Sequence, residues 1–403
     1  MPGHLIRRTW EYNTTLDAPA RYKRVCHYNA FIPETLASLE FDISARSAGL
    51  VAEVESAVRR LNDEGGEALS PLARLLLRTE SIASSKVEGL QLGVRELARA
   101  EAEAEVGGKP GATAQEVLAN INAMSLAVEE TAAAPKVTIR EISAIHHRLT
   151  SSGPNPRIAG MIRTRQNWIG GNDYNPCGAD FVPPPPEEVD RLLADLCAAI
   201  DDESLSPLVQ AAIVHAQFET IHPFDDGNGR TGRALVHVIL RRRNLAPRFI
   251  PPISVIFAGA RARYIDGLTT FRGANLVPWV EQFADATWQA TRLASAYLKA
   301  VRELQALWRS QLAATPNAPR AGAAAWTLID VLPAHPMISA PVAAAATSRA
   351  KAAVYDGIEQ LVTAGVLKPL SEKKRNRSWE AAGLLALIAR LEEGSLPSDS
   401  IAS

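Results

Sequence analysis

Two helical patterns meet at twelve residues, HPFDDGNGRTGR, 222 to 233, that neither pattern can run through. In SPLVQAAIVHAQFETI, 206 to 221, apolar residues recur at helical spacing, and Ser206 before Pro207 reads as a cap followed by proline at the first helical position. That helix must stop near Ile221, because His222 precedes Pro223 and is pushed out of the helical region. Helical spacing resumes in RTGRALVHVILRRRN. A fold for this chain must therefore hold two successive helices joined by a short loop, with Gly227, Asn228 and Gly229 at the start of the second.

A glycine-rich helix start offers unpaired amides and the positive end of a helix dipole, which together bind phosphate. Arg230 and Arg233 lie three apart on the first turn, and their forked donors match phosphate oxygens. Asp226 stands beside this cradle, where a carboxylate can hold a magnesium ion that bridges phosphates. His222, at the other end of the loop, can take a proton from a hydroxyl at neutral pH. Phe224, with Ile221, reads as the core anchor of the loop, and Asp225 as solvated. These are the parts of a phosphoryl or nucleotidyl transfer site. A competing arrangement is zinc held by His215, Glu219 and His222 at i, i+4 and i+7, although Pro223 disturbs the last position. His146 and His147 point to opposite sides of one helix, one toward the core and one toward solvent.

Composition narrows the rest. At 403 residues the chain has room for two or three domains, and a net charge of -1 gives no global attraction to nucleic acid or anionic membranes. Cys26, Cys177 and Cys197 show no CxxC spacing, so reduced thiols in a cytoplasmic protein are expected. The start has no signal-peptide core, and no apolar run of membrane-spanning length follows. Amphipathic helices are expected from SLEFDISARS onward, and Thr138 with Glu141 forms a capping-box signature. MIRTRQNWIGG alternates like an arm of an exposed hairpin that could receive a partner's backbone, and prolines 183 to 186 lead from it into a helix. AATPNAPRAG, 313 to 322, reads as a linker. Beyond it, helices followed by a hairpin with a basic turn are the order of a winged helix-turn-helix. The segment 348 to 379, with Arg349 and Lys351 on a helix and KKRNR in the turn, is the candidate DNA contact.

HPFDDGNGRTGR matches HxFx(D/E)GNGRxxR, the motif of Fic-domain proteins, at every fixed position. The resemblance implies a mainly α fold: a Fic-type helical core with a small β-hairpin flap, joined here to the winged-helix pattern. It implies transfer of AMP from ATP, with Mg2+, to a serine, threonine or tyrosine hydroxyl of a protein target, this chain itself included. It makes His222 the base, Asp226 the metal ligand, Gly227, Asn228 and Gly229 the phosphate turn, and Arg230 and Arg233 phosphate ligands. Upstream, SSKVEG resembles the inhibitory motif (S/T)xxxE(G/N), with Ser84 and Glu88, so that Glu88 would compete for Arg233 with the ATP γ-phosphate. Tyr264 would border the adenine. The implied organisation is an N-terminal helical region with the inhibitory helix over 1–110, a catalytic core over 111–312 and a winged-helix domain over 313–403, with a homodimer as a further implication. Another nucleotide donor, removal of AMP, or a DNA-binding regulator with an ATP-sensing Fic site are the alternatives.

Overall fold

A computed structural model describes residues 3–11, 17–63, 70–105, 108–273, 275–370 and 377–397. The chain is mainly helical. In order the helices are α1 (Ala45–Asp63), α2 (Ser70–Val87), α3 (Val94–Glu105), α4 (Ala112–Leu126), α5 (Ile139–Thr150), α6 (Pro186–Asp201), α7 (Pro207–Ile221) and α8 (Asn228–Arg242). There follow α9 (Ile253–Gly259), α10 (Arg261–Phe271), α11 (Val277–Ala313), α12 (Ala324–Val331), α13 (Ala340–Thr347), α14 (Lys351–Thr363) and α15 (Leu384–Glu392). Short strands complete the list: β1 (Gly3–Trp10), β2 (Cys26–Pro33), β3 (Met337–Ser339), β4 (Leu367–Pro369) and β5 (Ser378–Ala381). Two compact units interleave along the sequence, residues 1–55, 122–245 and 261–285 in one, residues 56–121, 246–260 and 286–403 in the other.

In the first unit α7 is the central helix. All of its residues except Glu219 are buried, as expected of a helix with apolar side chains on every face. Pro207 sits at its first position, but the Ser206 hydroxyl makes no cap. The Leu208 amide donates instead to Glu55 Oε1 at 3.0 Å, so the negative charge that complements the helix start comes from α1. The start of α5 follows the sequence pattern: Thr138 Oγ1 accepts from the Arg140 amide and the Thr138 amide donates to Glu141. His146 on this helix is buried and His147 exposed.

The expected hairpin arm is reduced to one bridge, Ile169 with Phe181. Regular pairing in this unit lies instead near the start of the chain, where no alternation marked it. β1 and β2 form an antiparallel ribbon, Gly3 opposite Pro33 and Trp10 opposite Cys26, and the Phe31 amide donates to the Val182 carbonyl. A disulfide joins Cys26 to Cys177, with their Cα atoms 6.3 Å apart. This corrects the expectation of reduced thiols for two of the three cysteines, and the cytoplasmic reading loses that support. Only Cys197 is a free thiol, buried and thereby raised to about 12. Because the bridge closes a loop across 151 positions, Cys26→Ser is expected to cost about 2–4 kcal/mol of stability. Thermal unfolding without reductant measures it, and an unchanged midpoint would count against the bridge.

The second unit has its own core around Val301, Leu304, Trp308, Leu328, Ile358 and Trp379, all nearly inaccessible. Its sheet has the strand order β3-β5-β4, both pairings antiparallel, with α13 and α14 between the first and second strands in sequence. The exposed residues of α14 include Lys351 and Tyr355 but also Asp356 and Glu359. Most of the basic turn, residues 371–376, lies outside the described residues. Among the described residues no helix is long and apolar enough to cross a membrane.

Candidate active site

The loop between α7 and α8 is built from local bonds that its residue types dictate. His222 ends α7 in the left-handed conformation, φ 51° and ψ 59°, with its amide still donating to the Phe218 carbonyl. For a residue with a Cβ that conformation costs roughly 1–2 kcal/mol, so other bonds must hold it. Phe224 is fully buried and stacks on the His146 imidazole, centroids 3.7 Å apart and planes 7° from parallel. Asn228 staples the loop: its Oδ1 accepts from the Phe224 amide at 2.9 Å and its Nδ2 donates to the Phe224 carbonyl at 2.8 Å. Gly227 has φ 75°, and a Cβ there would also approach Leu149 to 3.2 Å, so glycine meets both the conformational and the steric demand.

The next turn carries the charge. Thr231 donates to the Gly227 carbonyl, while the amides ahead of it belong to the helix start, which has no intrahelical acceptors for them. Arg230 is 5% exposed and Arg233 only 2%. The Asp226 side chain is 68% exposed, with Oδ1 accepting from the Gly227 amide at 2.7 Å and Oδ2 3.9 Å from Arg230 Nη2. Gly232, unnoticed in the sequence reading, sits where α8 meets α7: an added Cβ would lie 2.6 Å from Glu219 Oε1 and 2.9 Å from a Phe218 ring carbon. The loop therefore holds a half-buried imidazole at one end and an exposed carboxylate with two buried guanidiniums at the other.

His146 fixes the carboxylate end from below. Its Nε2–H donates to the Asp226 carbonyl at 2.9 Å and its Nδ1 accepts from the Gly160 amide at 3.0 Å. Burial lowers its pKa to about 4, so at neutral pH it is an uncharged ring with both nitrogens engaged. His215 is likewise buried and lowered to about 3, chiefly by burial and then by Arg233, and its Nε2 meets the Tyr264 hydroxyl at 2.9 Å. Tyr264 is 4% exposed. The zinc arrangement fails: His222 leaves the helical face on which His215 and Glu219 lie, and among the described residues no group of three such side chains is placed to hold a metal.

Residues 136–240 match the Fic/DOC family and residues 48–129 match the Fic/DOC family N-terminal region. The chain contains a Fic domain. Protein adenylyltransferase fic-1 of Caenorhabditis briggsae is 34% identical over 152 residues, 37% of this chain and 27% of that protein. Protein adenylyltransferase Fic of Nematostella vectensis is 32% identical over 165 residues, 40% of this chain and 34% of that protein. The chain thus spans about a third or less of the curated relatives it matches. A crystal structure of a Fic family protein from Desulfovibrio desulfuricans G20 shares the fold, with TM-score 0.53 and 22% identity over 85% of this chain and 98% of that one. Fic-1 (residues 134–508) from C. elegans does so with TM-score 0.51 and 24% identity over 64% of this chain and 74% of that one.

Within the matched N-terminal region, Ser84 is buried in α2 and Glu88 is exposed in the turn that ends it. That turn is a Schellman cap: the Leu90 amide donates to the Ser85 carbonyl, the Gly89 amide donates to the Lys86 carbonyl, and Gly89 has φ 86°. Gly89 therefore sets the point at which the chain turns away just after Glu88. Three residues of the Fic domain escaped the sequence reading as parts of the site: His146, Arg163 and Asn167. All three act on backbone carbonyls of the loop, and a side chain that bonds to distant backbone leaves no spacing signal.

Proposed function

We propose that the chain is a protein adenylyltransferase that moves AMP from ATP to a serine, threonine or tyrosine hydroxyl of a protein and is held off by Glu88. The observation that carries this reading is the loop, with its imidazole, its carboxylate and its guanidiniums at a helix start. The adenylyltransferase relatives above support the same activity.

In this reading the triphosphate lies on the amides at the start of α8, with Arg230 and Arg233 neutralising its oxygens. The acceptor oxygen attacks the α-phosphorus, the bond to the β-phosphate oxygen breaks, pyrophosphate leaves and the hydroxyl proton passes to His222. Asp226 suits magnesium, which binds through one or two carboxylates together with substrate phosphates rather than in an all-protein cage. Its side chain, 68% exposed, would be the protein ligand. The ion would neutralise developing charge between the phosphates. Tyr264, its hydroxyl taken by His215, would offer an adenine only its ring. The exposed Met161 and Ile169 mark the segment on which a target backbone would dock. Glu88 would act by competing with the γ-phosphate for Arg233.

The phosphate turn does not select the base, so the donor is the part of the reading most open to a direct test. With magnesium and equal concentrations of ATP, GTP, CTP and UTP, Glu88→Gly protein is expected to release pyrophosphate and label itself or a target from ATP at least about tenfold faster than from the others, a margin of about 1.4 kcal/mol. Equal or faster transfer from another nucleotide would replace ATP as the donor. For DNA, the acidic Asp356 and Glu359 on the exposed side of α14 give no support to a phosphate-contacting role.

A further inference from the structure

The catalytic histidine of the proposed reaction occupies a backbone conformation that its own sequence does not favour, and one neighbouring segment supplies the bonds that hold it. Arg163 is 3% exposed. Its Nε donates to the His222 carbonyl at 2.8 Å, its Nη2 to the Ile221 carbonyl at 3.3 Å and the Pro184 carbonyl at 2.6 Å, and its Nη1 to the Arg165 carbonyl at 3.1 Å. Its amide donates to the Pro223 carbonyl at 2.9 Å. Four residues on, Asn167 Nδ2 donates to both the His222 carbonyl, at 3.2 Å, and the Phe224 carbonyl, at 3.0 Å.

The pattern is specific. Ile221 to Phe224 present four successive carbonyls, and every one of them accepts from Arg163 or Asn167. A buried guanidinium with five fixed donors suits the carbonyl end of α7, where the helix dipole favours a cation. The His222 carbonyl is the only one of the four named that receives a donor from each side chain, and it belongs to the left-handed residue.

We infer that Arg163 and Asn167 are positioning residues: together they lock His222 in the left-handed conformation that aims its imidazole at the acceptor hydroxyl. The inference rests on the adenylyl-transfer reading for its kinetic consequence, but the conformational part stands apart from it. Neither residue touches nucleotide in this account. Their loss should therefore lower turnover and leave ATP binding alone.

The test uses full-length Glu88→Gly protein and, on that background, Asn167→Ala, Asn167→Asp and Arg163→Lys. Asn167 is only partly buried, so its variants keep the fold even if those of Arg163 do not. Asn167→Asp places an acceptor against two carbonyls and should be the worse of the two. A misplaced base costs up to about 10²-fold in rate, so kcat is expected to fall roughly 10- to 100-fold while KM and the calorimetric Kd for ATP with magnesium stay unchanged. In protein labelled at its 8 histidines, the backbone carbon shifts of His222 should move away from left-handed values in Asn167→Asp. Parent-level kcat in both Asn167 variants, or a rate loss that follows a loss of ATP affinity, would overturn the inference. If the parent transfers no adenylate, the functional reading fails, and the His222 shifts alone decide: unchanged values in Asn167→Asp would refute the clamp, and displaced values would sustain it.

Discussion

In the Glu88→Gly background, His222→Ala is expected to lower adenylate transfer by about 10²–10⁴-fold, the range that removal of a positioned general base produces. The hydroxyl of serine, threonine or tyrosine is a weak nucleophile at neutral pH, and His222 is the side chain assigned to take its proton. Binding of ATP should survive, because its phosphates are assigned to the start of α8 and not to the imidazole. The check is a single-turnover rate beside a calorimetric Kd. Loss of rate with retained affinity is the expected pair, and a rate within about tenfold of the parent would remove His222 as the base.

The second large effect is that of Glu88→Gly itself. A carboxylate competing for a buried guanidinium withholds from ATP a charged contact worth roughly 1.5–3 kcal/mol. Its removal is expected to raise transfer by about 10- to 150-fold on the scale of 1.4 kcal/mol per decade. Gly89, with its positive φ, holds the turn in both proteins. Initial rates with radiolabelled ATP measure the effect, and equal rates in wild type and variant would dismiss Glu88 as the inhibitor.

The loop was legible in the sequence because its determinants are local. Pro223 stops one helix, the glycines open the next, and Arg230 and Arg233 share a turn, all within twelve residues. The capping box at Thr138 was legible for the same reason. What could not be read depends on partners far along the chain. Cys26 meets Cys177 across 151 positions, Glu55 takes the place of Ser206 at the start of α7, and Arg163 reaches the His222 carbonyl 59 residues away. The β1-β2 ribbon stayed hidden because most of β1 is exposed, so no buried face imposes alternation on its side chains. Helical spacing put one of His146 and His147 in the core without saying which, and the bond from His146 to the Asp226 carbonyl has no counterpart in helical periodicity.

The central claim is that the loop transfers adenylate with His222 as base under the restraint of Glu88. Intact-mass spectrometry of the protein after incubation with ATP and magnesium tests it most directly, comparing wild type, Glu88→Gly, and Glu88→Gly with His222→Ala. A gain of one adenylate is expected, strong in Glu88→Gly, weak in wild type and absent in the double variant. Adenylate on the double variant to the same extent as on Glu88→Gly, or none on any of the three even with candidate target protein added, would contradict it.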